Sequence, residues 1–162
     1  MANAIKLQAG TPIVLANTGG DYTFNLKALA NGAGRISAQV DLGAVPRPYR
    51  YDVRVKLTAA SALSVSASNV AYVYIATSDG TVQDGDKGTS DAALSALTEC
   101  NNMRGVLLLT PDDTGTVVAG SVEVPIVARY VSIAIWNALG QALANSDGAS
   151  YVRITPVWDE IQ

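Results

Sequence analysis

Few side chains in this chain have types and spacing suited to chemistry. Asp79, Asp84 and Asp86 stand within the run Ser78-Asp-Gly-Thr-Val-Gln-Asp-Gly-Asp-Lys-Gly88. Hard cations favour several oxygens on one flexible loop, so calcium is the chemistry to consider. The spacing is not that of an EF-hand, no bidentate glutamate follows, and Lys87 opposes the charge. The run therefore reads as a solvated loop, and no metal ligand is assigned. Asp112 and Asp113 follow Pro111. Glycosidase carboxylates converge across a cleft about 5–10 Å wide, whereas adjacent aspartates on a turn bond their own backbone. Tyr72 and Tyr74 fall on one face of an apolar segment, and with Trp136 they have the makings of a sugar-stacking platform. A place in the core is the plainer reading for such a pair. Arg50, Arg54 and Lys56 alternate with apolar residues, which sets them on a solvated or partner-facing surface.

The inventory excludes several function classes. The chain has no histidine, so Ser-His-Asp and Cys-His catalysis and histidine zinc sites are absent as written. Cys100 is the one cysteine, so there is no intrachain disulfide, and it reads as a small buried apolar residue. The net charge of −3 and a pI near 4.7 argue against a nucleic-acid partner. No catalytic residue and no cofactor is expected.

The 162 residues and 16.8 kDa amount to one domain of chain. A folded monomer of that mass exposes roughly 7,600 Å², so a real core is possible without staples. Charged residues make up only 15%, hydrophobic residues make up 49%, and mean hydropathy is +0.21. Such composition is incompatible with disorder over the whole chain, and it leaves surface to be hidden against partners. No apolar run approaches the 18 or so residues of a membrane helix, and Val70 to Ala76 is only strand-sized. MANAIKLQAG lacks the apolar core of a secretory signal, so neither a membrane partner nor export is expected.

The elements that must position these residues read as strands. From Tyr49 to Leu57, Tyr49, Tyr51, Val53, Val55 and Leu57 alternate with Arg50, Asp52, Arg54 and Lys56. Ile36 to Leu42 and Tyr22 to Leu26 alternate likewise. Pro46 and Pro48 break the chain before Tyr49. Val70 to Thr77 is apolar on both faces, as in a central covered strand. Val106 to Thr110, Gly115 to Val127, Arg129 to Trp136 and Ser150 to Val157 complete the set. Ser90 and Asp91 offer an N-cap for one short helix ending near Asn101. The expected fold is an all-β antiparallel β-sandwich, jelly-roll-like, with one short helix near Ser90 to Cys100. Val53, Val55, Val73, Ile75, Ile133 and Ile135 are expected in its core. The expected organisation is an N-terminal arm over 1–16, a sandwich domain over 17–157 and a tail over 158–162.

The segments Ala128-Arg-Tyr-Val-Ser-Ile-Ala-Ile-Trp-Asn137, Gly140-Gln-Ala-Leu143 and Ser150-Tyr-Val-Arg-Ile-Thr-Pro-Val-Trp-Asp-Glu-Ile-Gln162 resemble the C-terminal half of small virion structural proteins of tailed bacteriophages. Ala71-Tyr-Val-Tyr-Ile-Ala-Thr-Ser-Asp-Gly80 is similar to their preceding strand and loop. Within that group the chain is most like a head decoration (cement) protein. The resemblance implies a β module on the outer capsid, assembled in the host cytoplasm. It also implies a dimer or trimer that clamps neighbouring major-capsid subunits. The residues expected to meet capsid or subunit are Ile5, Leu7, Arg50, Arg54, Lys56 and Trp158. A carbohydrate-binding β-sandwich module of a tail or fibre is the alternative. It requires Tyr72, Tyr74 or Trp136 to lie outside the core.

Overall fold

The structure is a computed structural model that describes residues 5–85 and 87–161, with the side chains of 5–7 and 159–161 outside the description. Two sheets pack face to face. The first is ordered β10 (Val117–Pro125), β6 (Arg50–Thr58), β12 (Tyr151–Ile161), β2 (Ile13–Ala16), β3 (Tyr22–Thr23), with β1 (Ile5–Ala9) also on β12. The second is ordered β8 (Ala92–Leu94), β4 (Ala33–Ile36), β11 (Tyr130–Ala138), β7 (Val70–Ser78), β9 (Arg104–Leu109), with β5 (Val40–Asp41) also on β11. Every pairing is antiparallel except β2 with β3. The antiparallel sandwich read from period-two alternation is the observed fold. Among the described residues no helix is long and apolar enough to cross a membrane.

Alternation decides what each strand buries. On β6, Tyr51, Val53, Val55 and Leu57 are buried, while Arg50, Asp52, Arg54 and Lys56 stand on the outer face. Val152 and Ile154 of β12 lie opposite Val55 and Val53. Val73 and Ile75 of β7 lie opposite Ile135 and Ile133 of β11. All of these are buried in one cluster that both sheets share, and it includes the six residues expected in the core. Gly120 allows the two sheets to close along one side. A Cβ there would sit 2.7 Å from Cδ2 of Leu109 on β9.

A second, smaller cluster covers the outer face of the second sheet. Ile36, Ala76 and Ala134 are capped by Leu94, Cys100 and Met103 from the excursion between β7 and β9. The expected helix is reduced there to one 3-10 turn, Leu97–Cys100. Ala92–Leu94 instead forms β8, pairing with Gly34, Arg35 and Ile36. Asp91 does not cap a helix. It takes Arg35 Nε and Nη2 at 2.9 and 2.5 Å and the Asn25 N–H at 3.3 Å. Packing onto a bare sheet edge and a half-buried ion pair outweigh the local helix propensity of this alanine-rich stretch.

The segment read as an arm divides. Ile13–Ala16 is a sheet strand with Leu15 and Ala16 buried, because Ile13 and Leu15 register with Ile154 and Val152. Gly10-Thr11-Pro12 interrupts this strand path without ending it, and Ile5–Ala9 continues along β12. The segment read as a tail is the end of β12, while residues 1–4, Asp86 and Gln162 lie outside the described residues. Ile135→Ala should lower the unfolding free energy by about 2–5 kcal/mol in urea titration, the cost of a cavity at a fully packed site. A loss below about 0.5 kcal/mol would mean that the two sheets do not meet there.

Candidate functional site

The first sheet overruns the second at one end. Its core-facing rows run Leu57, Val55, Val53, Tyr51 along β6, with Tyr49 just before the strand, and Val152, Ile154, Pro156, Trp158 along β12. Tyr51 and Ile154 are buried, yet Tyr49 is 57% exposed and Trp158 is 40% exposed. The first sheet thus leaves the core at Tyr49, just before β6, and at Trp158, past the pairing of β12 with β6. Val127, 82% exposed, follows Ile126, whose N–H bonds the Tyr49 carbonyl at 2.6 Å. Val45, 78% exposed, belongs to the loop that Arg47 ties back to the Val127 and Gly43 carbonyls. Val45, Tyr49, Val127 and Trp158 thus make an apolar ledge at the end of the sandwich. Beyond it, β1 and β12 continue as a two-stranded ribbon. Ile5 pairs with Ile161, Leu7 with Asp159 and Gln8 with Trp158, whereas β6 ends its pairing at Val157. Single exposed apolar residues are ordinary, but a group of them marks an interaction surface.

An ion pair pins the base of the ledge. Arg129 Nε and Nη2 donate to Asp41 Oδ1 and Oδ2 at 2.8 and 2.7 Å. The Gly43 N–H also donates to Asp41 Oδ1, and the guanidinium stacks over Tyr130 at 4.9 Å. Arg129 first, and then the Gly43 N–H, lower the Asp41 carboxyl from 3.8 to about 2.

The opposite, outer face of the first sheet is cationic. Cross-strand rows set Ala119, Lys56 and Tyr151 side by side, then Ser121, Arg54 and Arg153, then Glu123, Asp52 and Thr155. Arg54 faces Arg153 directly. Lys56 Nζ and the Arg153 guanidinium lie 5.7 and 4.8 Å from the Tyr151 ring. Of the cations expected at a contact, Arg50 is held by Glu123 at 3.1 Å, and Arg54 and Lys56 remain outward. The expected site residues therefore separate. Arg54 and Lys56 share one face, Trp158 marks the ledge, and Ile5 and Leu7 are placed by backbone register alone. The sequence pattern does not mark Tyr49, Val127, Tyr151 or Arg153 as site residues. The alternation of Ser150 to Val157 was the available signal for the last two.

A third surface lies outside the second sheet. Trp136, Tyr72 and Leu108 form one cross-strand row, with Leu108 62% exposed and both aromatics half-buried. Trp136 lies over Gly34, where a Cβ would come within 2.6 Å of its ring. Tyr74 lies beside Gly105 at a bulge, and a groove of about 290 Å³ runs along Tyr72, Tyr74 and residues 105–108. The aromatics are thus outside the main core, although Tyr74 and Trp136 also pack on the second cluster.

The other candidates are engaged locally. Asp79 Oδ1 accepts the Thr81 and Val82 N–H groups at 2.8 Å, and Asp84 Oδ2 accepts the Thr77 N–H and hydroxyl. Gln83 of the same loop is buried and donates to Ser132 Oγ at 2.5 Å, so the loop is anchored at its centre. Asp113 caps its own turn through the Gly115 N–H at 2.6 Å. Burial, and secondarily Glu99, push the Cys100 thiol up to about 11, so little of it is the reactive thiolate at neutral pH.

No family model and no curated protein matches the chain. Among solved structures it is similar to the EclA C-terminal domain, described as a sugar-binding protein. The identity is 13% over 99% of this chain and 79% of that one, with a TM-score of 0.33. A likeness of that size carries no argument about ligand.

Asp41 gives a pH signature at the ledge. Its folded value lies below its unfolded one, so its contribution is present above about pH 4 and is lost as pH falls toward 2. The pair is largely exposed and screened by solvent, so the loss should be small. Asp41→Asn should lower the urea midpoint at pH 6 and flatten the acid limb between pH 4 and 2. An unchanged acid limb would mean that the pair does not form in solution.

Proposed function

We propose that this chain is a structural virion protein of a tailed phage. In this reading it docks on the outer surface of the capsid and stabilises the shell by bridging major-capsid subunits, as a dimer or trimer. The observation that carries the contact role is the ledge. Tyr49, just before β6, and Trp158, on β12 past its pairing with β6, are exposed together with Val127 and Val45 of the adjoining loops. Such side chains keep the chemistry of a core and lack the second layer that would cover them. Aromatic anchors of this kind dominate interface energies. The likeness of the last two strands to phage virion proteins supplies the class of partner. The low charge content supports a protein that works by contact area. No catalytic role or cofactor belongs to this reading.

The physical work is linkage. A protein that binds only the closed lattice stabilises it by RT ln(1 + [L]/Kd), which amounts to several kcal/mol at saturation. A standard interface buries about 1,600 Å² in total. The ledge alone is smaller than that, so the neighbouring ribbon of β1 and β12 belongs to the same footprint.

The chain should co-sediment with mature heads of its cognate phage and raise the temperature at which they release DNA. Tyr49→Asp combined with Trp158→Ala should weaken that binding by at least about 2 kcal/mol, roughly 30-fold, with the fold intact by circular dichroism. Wild-type binding by the double variant would remove the ledge from the account, and absence of head binding by the wild type would remove the decoration role.

One observation favours a second reading, a carbohydrate-binding module of a tail or fibre. The Trp136–Tyr72 row faces outward beside a shallow groove. A glycan array separates the two readings. Retention of a glycan that is lost on Tyr72→Ala would favour the sugar site. An empty array beside productive head binding would leave the decoration reading alone.

A further inference from the structure

The outer face of the first sheet holds three cations with no carboxylate partner among the described residues. Among the described residues, Lys27, Arg35, Arg50, Lys87 and Arg129 have carboxylate partners within ion-pair distance. Arg54, Lys56 and Arg153 have none, and they are neighbours. Arg54 and Arg153 are directly opposed on β6 and β12. Side chains so placed start about 4.5–5.5 Å apart, and like charges there destabilise a sheet. The chain as a whole carries net charge −3, so this concentration is not the overflow of a basic protein.

The surroundings give the patch a shape. Ala119 and Ser121 on β10 are short, which leaves a hollow of about 200 Å³ against Arg54. On the β12 side of the patch, Tyr151 has the Lys56 and Arg153 cations against its ring. Glu123 and Asp52 occupy the next row and bound the patch on one side. Two opposed guanidinium forks with an ammonium in the adjoining row fit carboxylates, which arginine takes in bidentate fashion.

We propose that Arg54, Lys56, Arg153 and Tyr151 form a docking site for an acidic segment of a protein partner, whose Asp or Glu carboxylates pair with the two opposed arginines. Charge complementarity selects the occupant. A polynucleotide is disfavoured, because affinity there grows with the number of phosphates neutralised and this site offers three cations on an acidic protein. The site is on the opposite side of the sheet from the apolar ledge, and it stands independently of the decoration reading.

The test uses fluorescence anisotropy at low ionic strength with a labelled oligoglutamate peptide and a labelled single-stranded DNA of similar charge. The full chain should bind the peptide more tightly than the DNA. Arg54→Gln with Arg153→Gln should weaken peptide binding by at least about tenfold, since hydrogen bonds to charged groups are being removed. The same variant should melt at the wild-type temperature or above it, because an opposed pair of like charges has gone. Tyr49→Asp with Trp158→Ala should leave peptide binding unchanged, which keeps this site distinct from the ledge. Absence of peptide binding, equal binding by the arginine variant, tighter binding of the DNA, or a lower melting temperature for the arginine variant would overturn the proposal. The last result would make the arginines structural.

Discussion

Nine residues of β6, hydrogen-bonded to β10 on one side and β12 on the other, fix the rest of this molecule. A strand has two faces and a period of two, so one choice of register settles both. The inner row of Tyr51, Val53, Val55 and Leu57 is buried in the shared core. The outer row of Arg50, Asp52, Arg54 and Lys56 is thereby committed to the surface. Tyr49, one residue before the strand, is left exposed at its end. A one-residue slip would bury arginines and expose valines, a loss that burial of each valine at about 1.5–3 kcal/mol makes prohibitive.

The second sheet has a different construction. Its strands β7 and β11 are apolar on both faces, and the fold covers both. The inner faces meet the first sheet, and part of the outer face meets Leu94, Cys100 and Met103. That cap stops short of Tyr72 and Leu108, which is why an aromatic row stays half-open there. The two outer faces therefore differ in chemistry, one cationic with a single tyrosine and the other aromatic with a groove. The end of the sandwich is apolar. Three unlike surfaces on a small module suit a protein that meets more than one neighbour.

Much of this was legible in the sequence, because period-two alternation is a local property. β6, β7, β11 and the first part of β12 could be read directly, together with the buried residues they contribute. Ala92–Leu94 could not, because its local preference is helical and only the bare edge beside Gly34 makes it a strand. Ile13–Ala16 looked like part of an arm because Gly10 and Pro12 break the pattern ahead of it. Its role in the core appears only once β12 lies alongside. The ledge depends on the relative lengths of two sheets, which no single strand encodes. The opposition of Arg54 to Arg153 depends on a pairing between residues 99 positions apart in the chain.

We propose that the end of the sandwich, and not its faces, is where this protein meets a shell. Hydrogen–deuterium exchange in the presence and absence of cognate phage heads measures this directly. New amide protection is expected over residues 43–49, 126–129 and 157–161, with Tyr72 to Tyr74 and Gly105 to Leu108 unchanged. Protection confined to the Tyr72, Trp136 and Leu108 face, with the ledge still exchanging freely, would contradict it.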